Sequence, residues 1–372
     1  MPVNDTIALD FPLHYDIAAV RMLRTTSREE RSAALEQYGY NTGSLPAELV
    51  YVDLQSDGGT AAVNVQQHAD ALSSPPVSTP LELLGVNQAD YAAFANAVTK
   101  LTGYPHVVAF NSGRQSEAAL LRALLRPGTL VCGNMLFPTT RYYVRTLGAE
   151  LVDVITEQTY DLRSDELFKG NIDLEKLAAT LAQTTPTACV LVEMAVNGSG
   201  GHPIALANLQ AAYSLCQQHN VPLFLDASRI LENAYLIQQR EPGQQDRSVA
   251  EIVRALCDAS SGWWASAAKD FGVQEGGVVG LRDAALHRQL RTTALMESVS
   301  PRAIREMASG FNETWQHDGH LRDRAALAQY LWQALTEAGL PVLQPAGAHA
   351  VYLDVKGFFG VTQGVNLGES LA

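Results

Sequence analysis

The sequence predicts an α/β fold built on a mostly parallel sheet covered by helices on both faces. Two observations carry this. From about Tyr104, short β-rich apolar runs alternate with stretches whose apolar residues recur at helical spacing, the pattern of right-handed crossovers. Polar, often glycine-containing segments also follow the strand runs, where such sheets bind their ligands.

In chain order, "HVVAF" is a strand that enters a Ser-Gly turn and then the helix "RQSEAALLRALL". "TLVCGNM" and "AELVDVI" are two further short strands. "NIDLEKLAATLAQ" is a helix with Asp173 as N-cap and Leu174, Leu177 and Leu181 on one face. "ACVLVEMAV" is a strand, "LANLQAAYSLCQQHN" a helix with Leu206, Leu209, Tyr213 and Cys216 in register, and "VPLFLDAS" the next strand. The strand ends to inspect are therefore "NSGR", "NGSGGHP" and "DASR". The flanks differ: a helical "SREERSAALEQYG" precedes this core, while "LRDRAALAQYLWQALTEAG" reads as helix and "LPVLQPAGAHAVYLDV" as extended chain after it. No repeat is visible.

A chain of 372 residues with 47% hydrophobic and 17% charged residues can bury a large core. Its net charge of −13 argues against nucleic-acid or anionic-membrane partners, which are bound through clustered Lys and Arg. No run approaches the ~20 apolar residues of a membrane span, and the start lacks a basic segment followed by an apolar one, so the expectation is a soluble cytoplasmic protein. Cys132, Cys189, Cys216 and Cys257 are far apart with mostly apolar flanks, which predicts buried thiols. His317 and His320 in "HDGH" have a metal-like spacing, but no third ligand is recognisable, so a solvated turn is expected and no metal site. Glycine fingerprints for dinucleotides or nucleoside triphosphates and the hydrolase elbow are absent.

What remains is a strand-end aspartate, an arginine three residues on, a lysine some forty residues later, and a Ser-Gly-Arg turn opening a helix. Each has an ordinary reading alone: Asp226 as a helix cap, Arg114 as a solvated first-turn residue, Phe137 as a core aromatic, Asn197 as a turn former, Lys269 as a surface lysine. Together they suit pyridoxal phosphate, which needs a lysine for its Schiff base, an acid at the ring nitrogen, and helix-start N–H groups with hydroxyl and Arg donors for its phosphate.

At this point a resemblance becomes specific. Through "FKGNIDLEKL", "NGSGGHPIALANL", "LDASRILENAYLI" and "SAAKD", the chain resembles the β-eliminating lyases of the tryptophanase and tyrosine phenol-lyase family, fold-type I pyridoxal phosphate enzymes. The likeness runs from "YNTGSLPAELVYVDLQSDGGT" to the final "SLA". It implies a large cofactor domain over residues 56–319, an N-terminal arm with part of a small domain over 1–55, and the beginning of a small α+β domain, incomplete relative to the family, over 320–372. It implies Lys269 as Schiff-base lysine, Asp226 at the pyridine nitrogen, Arg229 and Asn197 at the 3-oxygen, Phe137 stacked on the ring, and Ser112, Gly113, Arg114 and Ser266 on the phosphate. Ser56, Thr60 and Arg141 would face the substrate.

The implied reaction is β-elimination from an aromatic or other β-substituted L-amino acid, giving pyruvate and ammonia. Lys269 would remove the α-proton. An aldol or β-replacement reaction, or an impaired homologue, is the alternative. The implied assembly is a homodimer or homotetramer. The chain also departs from the family. Ala268 stands where relatives keep a second lysine, no tyrosine lies around Gly85 to act as acid, and Pro138 replaces a substrate-contacting threonine. Gln274 stands at the potassium site, where a backbone carbonyl ligates, and the family arginine that grips the substrate carboxylate would lie beyond Ala372.

Overall fold

The computed structural model describes residues 26–41, 45, 46, 49, 88–297, 299–316 and 318–360. Ahead of the core, α1 (Arg28–Gln37) opens with a reciprocal cap: Ser27 Oγ accepts the Glu30 N–H, and the Glu30 carboxylate accepts the Ser27 N–H. α1 buries none of its residues.

The core is one seven-stranded sheet made of β1 (His106–Phe110), β2 (Leu130–Gly133), β3 (Glu150–Asp153), β4 (Thr187–Glu193), β5 (Leu223–Asp226), β6 (Gly262–Ser266) and β7 (Gly277–Leu281), in the order β1-β7-β6-β5-β4-β2-β3. Six strands run the same way, and β7 runs against both of its neighbours. The reversal has a simple cause. Only residues 267–276 separate β6 from β7, too few for the crossover of about a dozen residues that a parallel partner needs. The reversal brings the β6–β7 connection, which carries Lys269, to the carboxyl edge of the sheet.

α2 (Gln88–Thr102) precedes β1; the crossovers between the parallel strands are helical, α3 (Gly113–Leu124), α4 (Pro138–Thr146), α5 (Leu174–Leu181), α6 (Leu206–Gln218), α7 (Ile230–Arg240) and α8 (Val249–Asp258); α9 (Ala284–Met296) and α10 (Pro301–Gln316) follow β7. As the sequence predicts, Asp173 caps α5 by accepting the Glu175 and Lys176 N–H groups, and Leu177 and Leu181 are buried. With helices on both faces, the strands are apolar throughout: all five residues of β7 are buried, and all of β6 but its last. Trp263, Phe271 and Phe311 form an aromatic layer beneath them, the latter two stacked at 3.9 Å. All four cysteines are buried free thiols. Among the described residues no helix is long and apolar enough to cross a membrane.

After the sheet, α11 (Gly319–Glu337) and the short α12 (Val355–Phe359) flank a segment whose one β-bridge joins Val342 to Leu353. His320 departs from the solvated turn expected of "HDGH". It lies partly buried at the start of α11, where burial pushes its imidazole down to about 4. His317 lies outside the described residues.

Candidate active site

At the carboxyl edge, the ends of β1, β4, β5 and β6 enclose a cavity of about 410 Å³. Ser112, Gly113 and Arg114 line one end, where β1 turns into α3. Ser112 is the N-cap: its hydroxyl accepts the Gln115 N–H and keeps its own proton for another acceptor. Gly113 is required by packing. A Cβ there would sit 2.5 Å from Cβ and 2.7 Å from Cα of Ser266, which closes the same corner from β6. Backbone N–H groups, two hydroxyls and a guanidinium at a helix start make an anion cradle.

Asp226 ends β5 in register with Glu193 of β4 and Trp264 of β6, and all three line the cavity. One Asp226 oxygen accepts the Ser228 N–H at 3.1 Å, and Ser228 Oγ in turn accepts the Ser266 N–H at 3.0 Å, tying the aspartate to the cradle. Lys269 follows in the β6–β7 connection, its Nζ 5.3 Å from the centre of the Phe137 ring. The lysine and the face of Phe137 thus share one space.

Arg229 and Asn197 line the far wall. Behind them lies a buried charge network. Glu232 accepts from Arg229 Nη1 (3.2 Å to both oxygens), from Arg324 Nε of α11 (2.9 Å), and pairs with His349 Nδ1 (2.9 Å). Arg324 also reaches Asp270 at 3.2 Å, and the other Asp270 oxygen accepts the Leu231 and Glu232 N–H groups at the start of α7. The residue after Lys269 therefore caps the helix that follows Arg229. Burial would raise Glu232, but Arg324 above all, then His349 and Arg229, holds its carboxyl well below the usual range; Asp270, buried beside the Glu232 charge, rises to about 7. Tyr352 donates to Asn197 Oδ1 at 3.0 Å, so the Asn197 Nδ2 is the amide group offered to an occupant.

Two further carboxyls belong to the cavity. Glu117 of α3 accepts from the Thr139 hydroxyl (2.8 Å) and the Thr140 hydroxyl, and burial together with the Asp226 charge pushes it up to about 7. Glu193 is pushed up to about 8 for the same two reasons. The ends of β2 and β4 are also conformationally special, with Met135 at φ 58° and Ala195 at φ 47°, left-handed conformations that non-glycine residues adopt at a cost of about 1–3 kcal/mol.

The cavity therefore gathers Ser112, Gly113, Arg114, Phe137, Asn197, Asp226, Arg229, Ser266 and Lys269, the full set the sequence proposes for cofactor contact. Arg141, expected toward the substrate, is elsewhere. Its Nε donates to the Leu136 carbonyl at 2.9 Å and its Nη2 lies 3.9 Å from Asp153, because α4 turns it toward β3. Ser56, Thr60 and the stretch around Gly85 lie outside the described residues. Gln274 offers its side-chain oxygen to Arg302 at 2.7 Å. Sequence reading missed Glu117, Glu193, Thr139, Ser228 and Trp264. The signal for Glu193 was present, as a lone charge in the apolar run "ACVLVEMAV".

The profile of the "Beta-eliminating lyase" family matches residues 53–360. The chain belongs to the beta-eliminating lyase family. Among its relatives in the family, it is 35% identical over 353 residues to a tyrosine phenol-lyase of Nostoc punctiforme, covering 92% of this chain and 74% of that one. It is 36% identical over 350 residues to a tryptophanase of Salinibacter ruber, covering 92% and 73%. In fold it is similar to a serine palmitoyltransferase of Sphingomonas wittichii, with a TM-score of 0.54 at 16% identity over 77% of this chain and 67% of that one. A lysine-to-alanine variant of a serine palmitoyltransferase of S. paucimobilis, solved with a bound PLP–myriocin aldimine, gives a TM-score of 0.55 at 15% identity over 78% and 70%. At these identities the likeness is one of fold, and it identifies the beta-eliminating lyase chain as a fold-type I α/β protein.

Proposed function

We propose that the protein is a pyridoxal phosphate-dependent lyase that converts a β-substituted L-amino acid and water into pyruvate, ammonia and the protonated β-substituent. The observation that supports it best is the opening of Lys269, Asp226 and the Ser112–Arg114 cradle into a single cavity. Its volume lies within the ~300–1,000 Å³ usual for small-molecule sites.

The residues fit the cofactor. Ser112, Gly113, Arg114 and Ser266 would hold the phosphate, Asp226 would keep the ring nitrogen protonated, Asn197 and Arg229 would meet the 3-oxygen, and Phe137 would cover the ring. Pyridoxal phosphate bound there supplies an electron sink for the charge left when the α-proton departs. Lys269 would be the covalent anchor, and the same amine, once released, would take the α-proton. The buried pair of Arg229 with Glu232 fixes the guanidinium in place. A homodimer or homotetramer, a cytoplasmic location and a potassium ion at the carbonyl near Gln274 belong to the same reading.

The test is direct. Protein reconstituted with pyridoxal phosphate gains the visible absorbance of the lysine-bound cofactor, and Lys269→Ala loses it. Pyruvate release is then measured across tryptophan, tyrosine, cysteine and serine derivatives. Protein that takes up no cofactor, or cofactor-loaded protein that releases pyruvate from none of them, refutes the assignment.

A further inference from the structure

Glu193 is the unexplained group of the cavity. It ends β4 in parallel register with Asp226, so both side chains leave the same face of the sheet. Its backbone is clamped: the Glu193 N–H donates to Asn134 Oδ1 at 2.8 Å, and its carbonyl accepts from Asn134 Nδ2 at 3.1 Å. The residue is 5% exposed. One oxygen accepts the Asn197 N–H at 2.7 Å, whereas Oε2 is buried with no hydrogen-bond partner, in a residue that lines the cavity. Leaving a buried polar atom unpaired is destabilising, so a purely structural cap for the Asn197 turn would not keep this second oxygen.

The groups around it set its protonation. Asp226 from β5 and Glu117 from α3 are acidic, while Lys269 after β6, Arg229 before α7 and Arg114 on α3 line the same cavity as cations. Burial, and next the Asp226 charge, outweigh the Asn197 N–H, the Lys269 charge and the Phe137 N–H, and push the Glu193 carboxyl up to about 8, toward the protonated form. A neutral carboxylic acid is a hydrogen-bond donor, and here the donor stands on the wall between Asp226 and Asn197.

Resting on the reading above, we propose that Glu193 is a positioning residue for the cofactor ring, donating through its Oε2 to the ring's 3-oxygen beside the Asn197 amide. Asp226 grips the ring at its nitrogen and Glu193 at its oxygen, so the two strand-end acids divide the roles of charge partner and donor.

Binding is read by quenching of Trp264, which lines the cavity, with pyridoxal 5′-phosphate and its 3-deoxy analogue. Glu193→Gln keeps an acceptor for the Asn197 N–H and a donor for the oxygen, and holds pyridoxal phosphate within about twofold of wild type. Glu193→Met loses roughly tenfold for pyridoxal phosphate and under about twofold for the 3-deoxy analogue. Equal losses for both ligands, or none for either, overturn the proposal.

If Glu193→Met does not fold, the pH series decides. Wild-type affinity falls as pH rises through about 8, where the acid becomes a carboxylate that cannot donate, and Glu193→Gln stays flat over that range. Parallel curves for the two proteins overturn the proposal. Wild type that binds no pyridoxal phosphate at all refutes the functional reading itself, a result distinct from these.

Discussion

Gly113→Ala tests the anion cradle with a single methyl group. The added Cβ would lie 2.5 Å from Ser266 Cβ and 2.7 Å from its Cα, and carbon atoms in contact sit about 3.5–4.0 Å apart. One wall must retreat by about 1 Å. Neither can do so by turning a flexible side chain, because the opposing atoms belong to the backbone and first carbon of a strand-end residue. Overpacking of this kind costs about 1–3 kcal/mol, and it falls on the junction of the α3 N-terminus with β6. If the site holds phosphate there, the separation of Ser266 from the α3 N–H groups costs about 1.4–2.8 kcal/mol of binding, a 10–100-fold rise in the dissociation constant of pyridoxal phosphate. Pyridoxal, which lacks the phosphate, loses little. Fluorescence titration with both ligands measures this. An alanine variant that binds pyridoxal phosphate within threefold of wild type, or that loses both ligands alike, refutes the phosphate assignment.

Three other outcomes follow from the same geometry. Glu232→Ala strips Arg229, Arg324 and His349 of their shared carboxylate and, as for a broken buried ion pair, lowers stability by about 3–5 kcal/mol in denaturant unfolding; a loss below 1 kcal/mol would mean the network is not formed. Asn134→Ala unpairs buried backbone groups of Gly170 and Glu193 and costs about 1–3 kcal/mol for each group left unsatisfied, read as a lower denaturation midpoint. The third concerns pH. The folded protein holds the Glu193 proton up to about 8, while the unfolded chain releases it near 4.5, so this group makes unligated wild type progressively less stable between those limits. Glu193→Gln therefore gains on wild type as pH rises from 5 to 8. Buried imidazoles such as His202 and His320 act in the opposite sense but cancel in the difference; a difference independent of pH would show that Glu193 is not held protonated.

The strands and helices that are local in sequence were legible because their signals are local. The spacing of Leu174, Leu177 and Leu181 and the cap at Asp173 need no knowledge of the rest of the chain, and β5 announces itself as an apolar run ending in an acid. The antiparallel β7 was not legible. "GVVGL" carries no mark of direction, which is fixed by the shortness of the preceding connection and by its two sheet neighbours. The orientation of Arg141 was not legible for a related reason. Its place one turn into α4 follows from the sequence, yet the face it presents depends on β3, packed alongside.

The candidate site divides in the same way. Lys269, Asp226 and the Ser112–Arg114 turn are tied to strand ends and turns, features a sequence displays. The residues that hold them in place act across the fold: Glu232 meets Arg324 and His349 only because α11 and the following segment return to α7, and Asp270 reaches back to cap that helix. Glu193 is the intermediate case. Its charge stands out in an apolar strand, but its meaning depends on lying beside Asp226, and that requires the strand order. Two acids at adjacent strand ends in a buried wall cannot both ionise cheaply. If Asp226 is the charged partner of a ring nitrogen, as proposed, Glu193 is left to keep its proton, and the proposed division of roles between the two acids follows from their register.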